Sequence, residues 1–285
     1  MDDASPGEIA RSALVGSRFG DVRWVAETGS TNADALELGR QGEAEGVVLV
    51  ADHQTAGRGR LGRTWQAPVG GSLLCTILLR PPAAVAASTT MAVAVAASDA
   101  IAELTGQVAR LKWPNDLVWP GDGTAADRKL AGILAEVDWP AASQISSGWK
   151  EPRPQDRLVV AVGIGINVAW GDDVPADLAD LAVALDHLTA PDPAPPREVL
   201  LVTMLTHLDR RYTALLAGPD GAAELREAWR QRSATLGRRV RIDLGADDLE
   251  GTAVDITEEG HLVVDTADGD RRTIAVGDVV HLRPI

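Results

Sequence analysis

Four runs of apolar, β-branched residues, each nine to fourteen residues long, lie within the first 170 residues of this chain. They are GVVLVADHQ (46–54), SLLCTILLR (72–80), KLAGILAEVDW (129–139) and RLVVAVGIGINVAW (157–170). Runs of this length and composition are typical of strands buried inside a sheet. VRWVAE (22–27) predicts a further strand, and VARLKWPND (108–116) predicts a strand that ends in a Pro turn. The chain must therefore bury a central sheet.

Between these strands the apolar residues recur with helical spacing. A helix over 32–39 is predicted after Ser30 or Thr31, since either hydroxyl can cap free backbone amides. Apolar residues three or four apart predict helices over 88–105, 197–217 and 224–236, and a helix or two turns over 175–188. PAASQISSGWKEPRPQ (140–155) is expected to form a surface hairpin connection. The predicted fold class is α+β, with a mixed, mainly antiparallel sheet covered by helices.

The sequence pattern changes at Gly237. Short alternating runs joined by turns such as TEEG and ADGD follow to the end of the chain. They predict a small β-barrel-like domain of about fifty residues. The predicted division is an N-terminal extension (1–21), a large domain (22–236) and a C-terminal β domain (237–285).

Charge and cysteine content exclude several classes of protein. The formal net charge is −14 and the sequence pI is about 4.7, which argues against general nucleic-acid binding. The single cysteine, Cys75, excludes internal disulfides and cysteine metal cages, and its apolar neighbours predict a buried residue without nucleophilic function. The alanine-rich stretch 81–104 is interrupted by Ser, Thr and Asp, so a buried helix is expected there instead of a membrane span. With no signal peptide recognised at the N-terminus, the cytoplasm is the expected location and no membrane is expected as a partner.

Three arginines alternate with three glycines in GRGRLGR (57–63), directly after a predicted strand. Glycines let backbone amides approach an anion, and arginine donates paired hydrogen bonds to phosphate or carboxylate. Trp65 follows and could stack on a flat ligand. The pattern fits a lid that closes over a small anionic ligand. A solvated turn or an RGG-like nucleic-acid segment is the equally weighted alternative.

Three further motifs favour a ligand site. In KWPND (112–116), Lys112 suits a phosphate and Asp116 suits Mg²⁺, although an ion pair on a surface turn would look the same. In RKLAGIL (128–134), Lys129 could enter a pocket beside Gly132, and a routine strand-start lysine is the alternative. GIGIN (163–167) leaves room on one strand face, where Asn167 could bind a base. GIGIN is not a dinucleotide fingerprint, because it has neither the GxGxxG spacing nor a following helix. The chain has no P-loop motif, and its five histidines lack metal-ligand spacing.

Taken in order, GSTN (29–32), HQTAGRGRLGRTW (53–65), KWPND, RKLAGIL and GIGIN resemble the motifs of biotin protein ligases. The resemblance spans about residues 22–170, with the small β domain in the position it has in that family. It implies that residues 22–236 form a catalytic domain of the class II synthetase-like type shared by biotin and lipoate ligases, and that residues 237–285 form an SH3-like β-barrel. It also implies that biotin and ATP form biotinyl-5′-adenylate with Mg²⁺, and that biotin then passes to a lysine of a biotin carboxyl carrier domain.

The resemblance also implies roles for individual residues. Biotin contacts are assigned to Ser30, Thr31, Asn32, Gln54, Arg58, Gly59, Arg60, Lys129, Gly132 and Gly163. ATP contacts are assigned to Arg60, Arg63, Trp65, Lys112, Asn115, Lys129, Asn167 and Arg283, and the metal to Asp116. Catalytic positive charge is assigned to Arg58, Arg60, Arg63, Lys112 and Lys129.

The sequence departs from the family pattern in two respects, and alternative functions are also considered. Only 21 residues precede the predicted first strand, too few for the winged helix-turn-helix of many members, so DNA binding is not expected. The segments 119–127 and 140–156 look longer than the motifs require. A lipoate–protein ligase is the rival enzyme. A biotin-sensing regulator or an RNA-binding protein is the rival without catalysis.

Overall fold

A seven-stranded sheet forms the centre of the computed structural model, which describes residues 4–121, 126–138, 151–172, 174, 178–244, 248–275 and 277–281. Its strands, within those residues, are β1 (Val22–Thr28), β2 (Val48–Gln54), β3 (Ser72–Leu79), β4 (Arg110–Lys112), β5 (Asp116–Trp119), β6 (Arg128–Asp138) and β7 (Val159–Asn167). Their spatial order is β1-β2-β3-β7-β6-β5-β4. β1 and β2 pair in parallel and the other neighbours are antiparallel. The predicted mixed, mainly antiparallel sheet is confirmed.

Helices cover the two faces of this sheet. They are α1 (Pro6–Ala13), α2 (Thr31–Arg40), α3 (Ala83–Ala86), α4 (Ser88–Thr105), α5 (Leu185–Thr189), α6 (Arg197–Ala217) and α7 (Pro219–Arg232). α4, α6 and α7 pack together, and Asp99 on α4 binds Arg211 and Arg232 from the other two helices. α2 is the crossover between β1 and β2 and packs on β2, β3, β6 and β7.

Alternation along β7 separates the two faces. Val160, Val162 and Ile164 belong to the main core, whereas Val159 and Ala161 pack in the small cluster with Ala35 and Leu36 of α2. Since successive side chains of a strand point to opposite faces, Gly163 and Gly165 lie on the α2 face. Near the start of α2 that face therefore carries no side chain of β7 at two successive positions, Gly163 and Gly165.

The apolar helix 83–105 is long and apolar enough to cross a membrane by length and composition, yet 72% of its apolar window is buried inside the fold. This agrees with the expected core helix.

The C-terminal module is a five-stranded antiparallel sheet over the residues described. Its order is β11-β10-β9-β8-β12, with β8 (Arg239–Asp243), β9 (Asp248–Ile256), β10 (Leu262–Thr266), β11 (Arg271–Ile274) and β12 (Asp278–His281). Val240 and Ile242 are buried while their neighbours are exposed, as expected for strands with one core face. The module is consistent with the predicted SH3-like fold. The domain boundaries stay a prediction.

Several elements differ from the sequence prediction. The strand in 108–116 ends in a turn at Pro114 as predicted, because proline has no amide to continue a ladder. Residues 116–119 then form a further strand, β5, which pairs with β4 as a hairpin. α7 begins at Pro219, five residues before the predicted start, and ends at Arg232. Within 175–188 the described residues contain a short turn and the start of α5, and 175–177 lie outside the described residues. Most of the 140–155 connection also lies outside them.

The segment predicted only as an N-terminal extension contains α1, which packs on α6. Its Ala10, with Leu14 and Phe19 just beyond the helix, joins the main core.

Candidate active site

A cleft of about 390 Å³ opens where β6, β7 and the start of α2 meet the β4–β5 turn and the C-terminal module. Most of the residues singled out from the sequence line it. They are Ser30, Thr31, Asn32, Gln54, Arg58, Gly59, Arg60, Arg63, Trp65, Lys112, Asn115, Asp116, Lys129, Gly132 and Gly163. Five motifs far apart in sequence thus form one site.

The floor of the cleft is made by glycines on β6 and β7. The indole of Trp65 lies across them: a Cβ added at Gly165 would be 2.6 Å from Trp65 Cε2, and one at Gly132 would be 2.8 Å from Trp65 Cζ3. Any side chain at these positions would therefore displace the ring. Trp65 Nε1 is buried without a hydrogen-bond partner among the described residues. This shelf accepts a flat ring.

One end of the cleft is polar and uncharged. Gln54 Oε1 accepts hydrogen bonds from Thr31 N at 2.8 Å and from Thr31 Oγ1 at 3.1 Å. Thr76 Oγ1 donates to Asn32 Oδ1 at 2.6 Å. A Cβ at Gly163 would lie only 2.0 Å from Asn32 Oδ1, so Gly163 makes room for this cluster. Such amide and hydroxyl groups suit a neutral polar ligand end.

Ser30 occupies the N-cap position of α2 but makes no capping hydrogen bond through its side chain. The helix begins at Thr31, one residue before the predicted start, and the predicted side-chain cap at Ser30 is absent. Ser30 and Thr31 both line the cleft, where the Thr31 hydroxyl donates to Gln54.

The arginines of the Gly/Arg loop, 57–63, bind carboxylates that the sequence analysis did not single out. Arg58 Nη2 lies 2.9 Å from Glu136 Oε2, and the same oxygen accepts from Asn32 Nδ2 at 2.9 Å. Arg60 Nη1 lies 3.4 Å from Asp278 Oδ1, and Arg63 pairs with Asp278 as well. Asp278 begins β12, so the C-terminal module contributes a residue to the cleft. The described loop is held in place by carboxylates from two parts of the fold.

Lys129 faces Asp116 across the β5–β6 pair. Its Nζ lies 2.7 Å from Asp116 Oδ1 and 5.5 Å from the centre of the Trp65 ring. The routine strand-start reading of Lys129 therefore fails, because its ammonium points into the cleft.

Two amides predicted to contact the nucleotide have structural partners. Asn115 Nδ2 donates to Ile133 O at 2.7 Å and so fixes the β4–β5 turn. Asn167 is buried and is not among the lining residues; its Nδ2 donates to Val183 O at 3.1 Å and its Oδ1 has no partner in the described part of the chain. Arg283 lies outside the described residues. These nucleotide roles stay predictions.

Cys75 is buried in β3 as expected. Burial raises the pKa of its thiol to about 12, so it is protonated at neutral pH and unsuited to nucleophilic attack.

Comparisons with known proteins agree with this geometry. Residues 25–150 match the biotin/lipoate A/B protein ligase family, and residues 235–282 match the biotin protein ligase C-terminal domain. Biotin–[acetyl-CoA-carboxylase] ligase of Mycobacterium tuberculosis is 36% identical over 96% of this chain and 94% of its own length. The chain belongs to the biotin protein ligase family. The alternative that the chain is an RNA-binding protein from outside this family is therefore set aside.

Two further relatives of the biotin protein ligase family cover most of the chain. Biotin protein ligase from Aquifex aeolicus, solved in complex with biotin and ATP, is 27% identical with a TM-score of 0.72, and covers 93% of this chain and 100% of its own. The bifunctional ligase/repressor BirA of Bacillus spizizenii is 30% identical over 94% of this chain and 78% of its own length. The likeness to solved ligases thus includes both the sheet and the C-terminal module.

Sequence reasoning predicted room on the strand face that Gly163 and Gly165 share, but it assigned Gly165 no contact of its own. It missed three further residues, Thr76, Glu136 and Asp278. These three are isolated polar residues in ordinary strand sequences, and only the pairing of distant segments brings them to the site.

Proposed function

We propose that this protein is a biotin–[biotin carboxyl carrier protein] ligase. It joins biotin to ATP as biotinyl-5′-adenylate, releases pyrophosphate, and transfers biotin to a lysine of a biotin carboxyl carrier domain. One observation supports this most: a single cleft contains a shelf floored by glycines, a neutral polar end and five cations. Biotin has a neutral polar head and a carboxylate tail, and ATP adds a flat base and phosphates.

In the proposed reaction a carboxylate oxygen of biotin attacks the α-phosphorus of ATP, and the bond to pyrophosphate breaks. Two anions must approach, so the main demands are positioning and positive charge. Arg58, Arg60, Arg63, Lys112 and Lys129 supply the charge. The acceptor lysine, as the free amine, then attacks the acyl carbon of the adenylate and AMP leaves. No nucleophile of the protein is needed.

The polar end is assigned to the biotin head through Ser30, Thr31, Asn32 and Gln54, with Gly163 and Gly132 along its floor. Gly59 and the arginines beside it close over the ligand. The adenine is assigned to Trp65 and Asn167, with Asn115 and Arg283 on the nucleotide side.

Magnesium fits this site as a partner of the nucleotide. Among the described residues no group of three His, Cys, Asp or Glu side chains could hold a metal by itself. Mg²⁺ commonly takes one or two carboxylates together with substrate phosphates and waters. Asp116, in the cleft beside Lys129, would supply that carboxylate, and the ion would neutralise phosphate charge.

The test is biotin-dependent exchange of labelled pyrophosphate into ATP, with Mg²⁺ and no carrier domain. Exchange with biotin and none with lipoate supports the proposal and separates it from a lipoate ligase. Absence of exchange from folded protein that binds both substrates would support a sensor without turnover and contradict the proposal.

Two finer points belong to the same proposal. The net charge of −14 supports a protein that does not bind operator DNA, and a specific shift of promoter DNA would contradict this. A cytoplasmic location is proposed because the chain has one buried cysteine and its most apolar helix is packed in the core.

A further inference from the structure

The segment that links α7 to the C-terminal module covers the outer edge of β4. Ala234 N donates to Leu111 O at 2.7 Å, and Trp113 N donates to Thr235 Oγ1 at 3.0 Å. Trp113 follows Lys112 directly in KWPND. Thr235 is fully buried, so its hydroxyl has no access to solvent or substrate.

The hydroxyl of Thr235 also contacts His281, which in turn contacts Asp127. Thr235 Oγ1 lies 3.2 Å from His281 Nε2, and His281 Nδ1 lies 2.8 Å from Asp127 Oδ2. Asp127 precedes β6 and His281 ends β12. The chain of contacts therefore joins β4, the linker, the C-terminal module and the segment before Lys129.

One arrangement of hydrogens satisfies every member of this chain. Trp113 N–H donates to Thr235 Oγ1, the Thr235 hydroxyl donates to His281 Nε2, and His281 Nδ1–H donates to Asp127. Arg238 Nη1 donates to the same Asp127 oxygen at 2.9 Å. This arrangement needs neutral His281, because a protonated imidazole cannot accept at Nε2.

We propose that Asp127, His281 and Thr235 form a positioning relay that fixes the backbone of KWPND and thereby the ATP-side cation Lys112. The inference rests on the proposed function, since it concerns the ATP half of that reaction. The relay residues act through Trp113 and are positioning residues. The same contacts couple the C-terminal module to the ATP side of the cleft.

The variant Thr235→Val tests the relay, because it keeps the shape and removes the hydroxyl. The buried Trp113 amide then loses its acceptor, and we expect the KM for ATP to rise about tenfold while the KM for biotin stays within about twofold. His281→Ala should act in the same direction. Thr235→Ser, which restores a hydroxyl, should return the KM for ATP close to wild type.

Asp255→Asn is the matched control. It removes the charge from another contact between the two modules, the 2.6 Å pair of Arg230 Nε and Asp255 Oδ1, and so weakens it. Neither residue of this pair belongs to the contacts that reach KWPND. A selective ATP effect in Thr235→Val and none in Asp255→Asn supports the relay. An unchanged KM for ATP in folded Thr235→Val, or equal shifts for both substrates in both variants, overturns it.

Amide hydrogen exchange separates failure of the relay from failure of the proposed function. If the wild-type protein does not exchange pyrophosphate into ATP, the proposed function fails. The relay is then tested only by the rate of hydrogen exchange at the Trp113 amide. Faster exchange of that amide in Thr235→Val than in Asp255→Asn supports the relay, and equal rates overturn it.

Discussion

Single residues decide what the cleft can hold. Gly132 and Gly165 leave the shelf that Trp65 covers, and a methyl group at either position would meet the indole at less than 3 Å. The ring can move more easily than the sheet. A substitution there is therefore expected to change the site more than the fold.

Gly165→Ala should push Trp65 off its shelf and weaken binding of biotin and ATP by about tenfold, within the range of overpacking effects. Titration calorimetry with each ligand measures this. Val137→Ala, on an exposed position of β6, is the control and should bind as wild type does. Wild-type affinities in Gly165→Ala would mean that the shelf is not part of the ligand site.

Arg60→Ala should release the adenylate about tenfold faster, because a charge-assisted contact over the ligand is lost. The free adenylate would then label lysines on bystander proteins, and the same direction is expected for Arg58→Ala. Release of labelled adenylate and bystander biotinylation are the two readouts. Arg153→Ala, which removes a surface pair with Asp156, is the control. Equal retention and selectivity in Arg60→Ala would rule out the lid assignment.

At the scale of elements, the start of α2 is anchored to β3 by side chains. Thr76 on β3 is fully buried, and its Oγ1 lies 2.6 Å from Asn32 Oδ1 and 2.8 Å from Thr31 Oγ1. Both helix residues line the cleft. The helix is thus held where its first turn can meet a ligand.

Thr76→Val should lower the free energy of unfolding by about 1–3 kcal/mol, because it leaves a buried acceptor on Asn32 without its donor. Biotin binding should weaken with it. Urea unfolding measures the first effect and calorimetry the second. Thr206→Val, at an exposed position of α6, should change neither. A neutral effect of Thr76→Val would show that this contact does not anchor α2.

At the scale of the whole molecule, the contact between His281 of the C-terminal module and Asp127 before β6 makes the free energy of unfolding depend on pH. Burial lowers the pKa of His281 despite the hydrogen bond to Asp127, and nearby Lys112 and Arg238 lower it further. The pKa of Asp127 is also lowered: burial opposes this, and the bonds from His281 and Gly121 with the charge of Arg238 outweigh it. In both cases the unfolded chain binds more protons than the folded protein, so stability rises with pH.

The free energy of unfolding should therefore fall as pH drops below about 6.5, the ordinary value for histidine, with His281 contributing at most about 1.4 kcal/mol per pH unit. The Asp127 contribution should be lost only at lower pH, below about 3.9. Denaturant unfolding between pH 5 and 7 tests the histidine part. His281→Asn should show a shallower slope than wild type, and parallel slopes would contradict the assignment.

Local patterns in the sequence were sufficient to predict most helices and strands and most of the residues that line the cleft. The helix over 197–217 is predicted to the residue, and the Gly/Arg loop, KWPND and RKLAGIL each place cleft residues through short-range spacing. Pro114 predicted the turn after β4, whereas the pairing of β4 with β5 in a hairpin was not predicted.

The sequence by itself determined a mixed sheet, its helices, a small β module and the set of cations for an anionic ligand, because these depend on neighbours a few residues apart. Tertiary structure alone decided which carboxylates face those cations and which buried groups contact the KWPND turn. Glu136 is 78 residues from Arg58, Asp278 is 215 from Arg63, and His281 is 154 from Asp127. No local spacing records such contacts, since they exist only once the sheet and the C-terminal module have packed together.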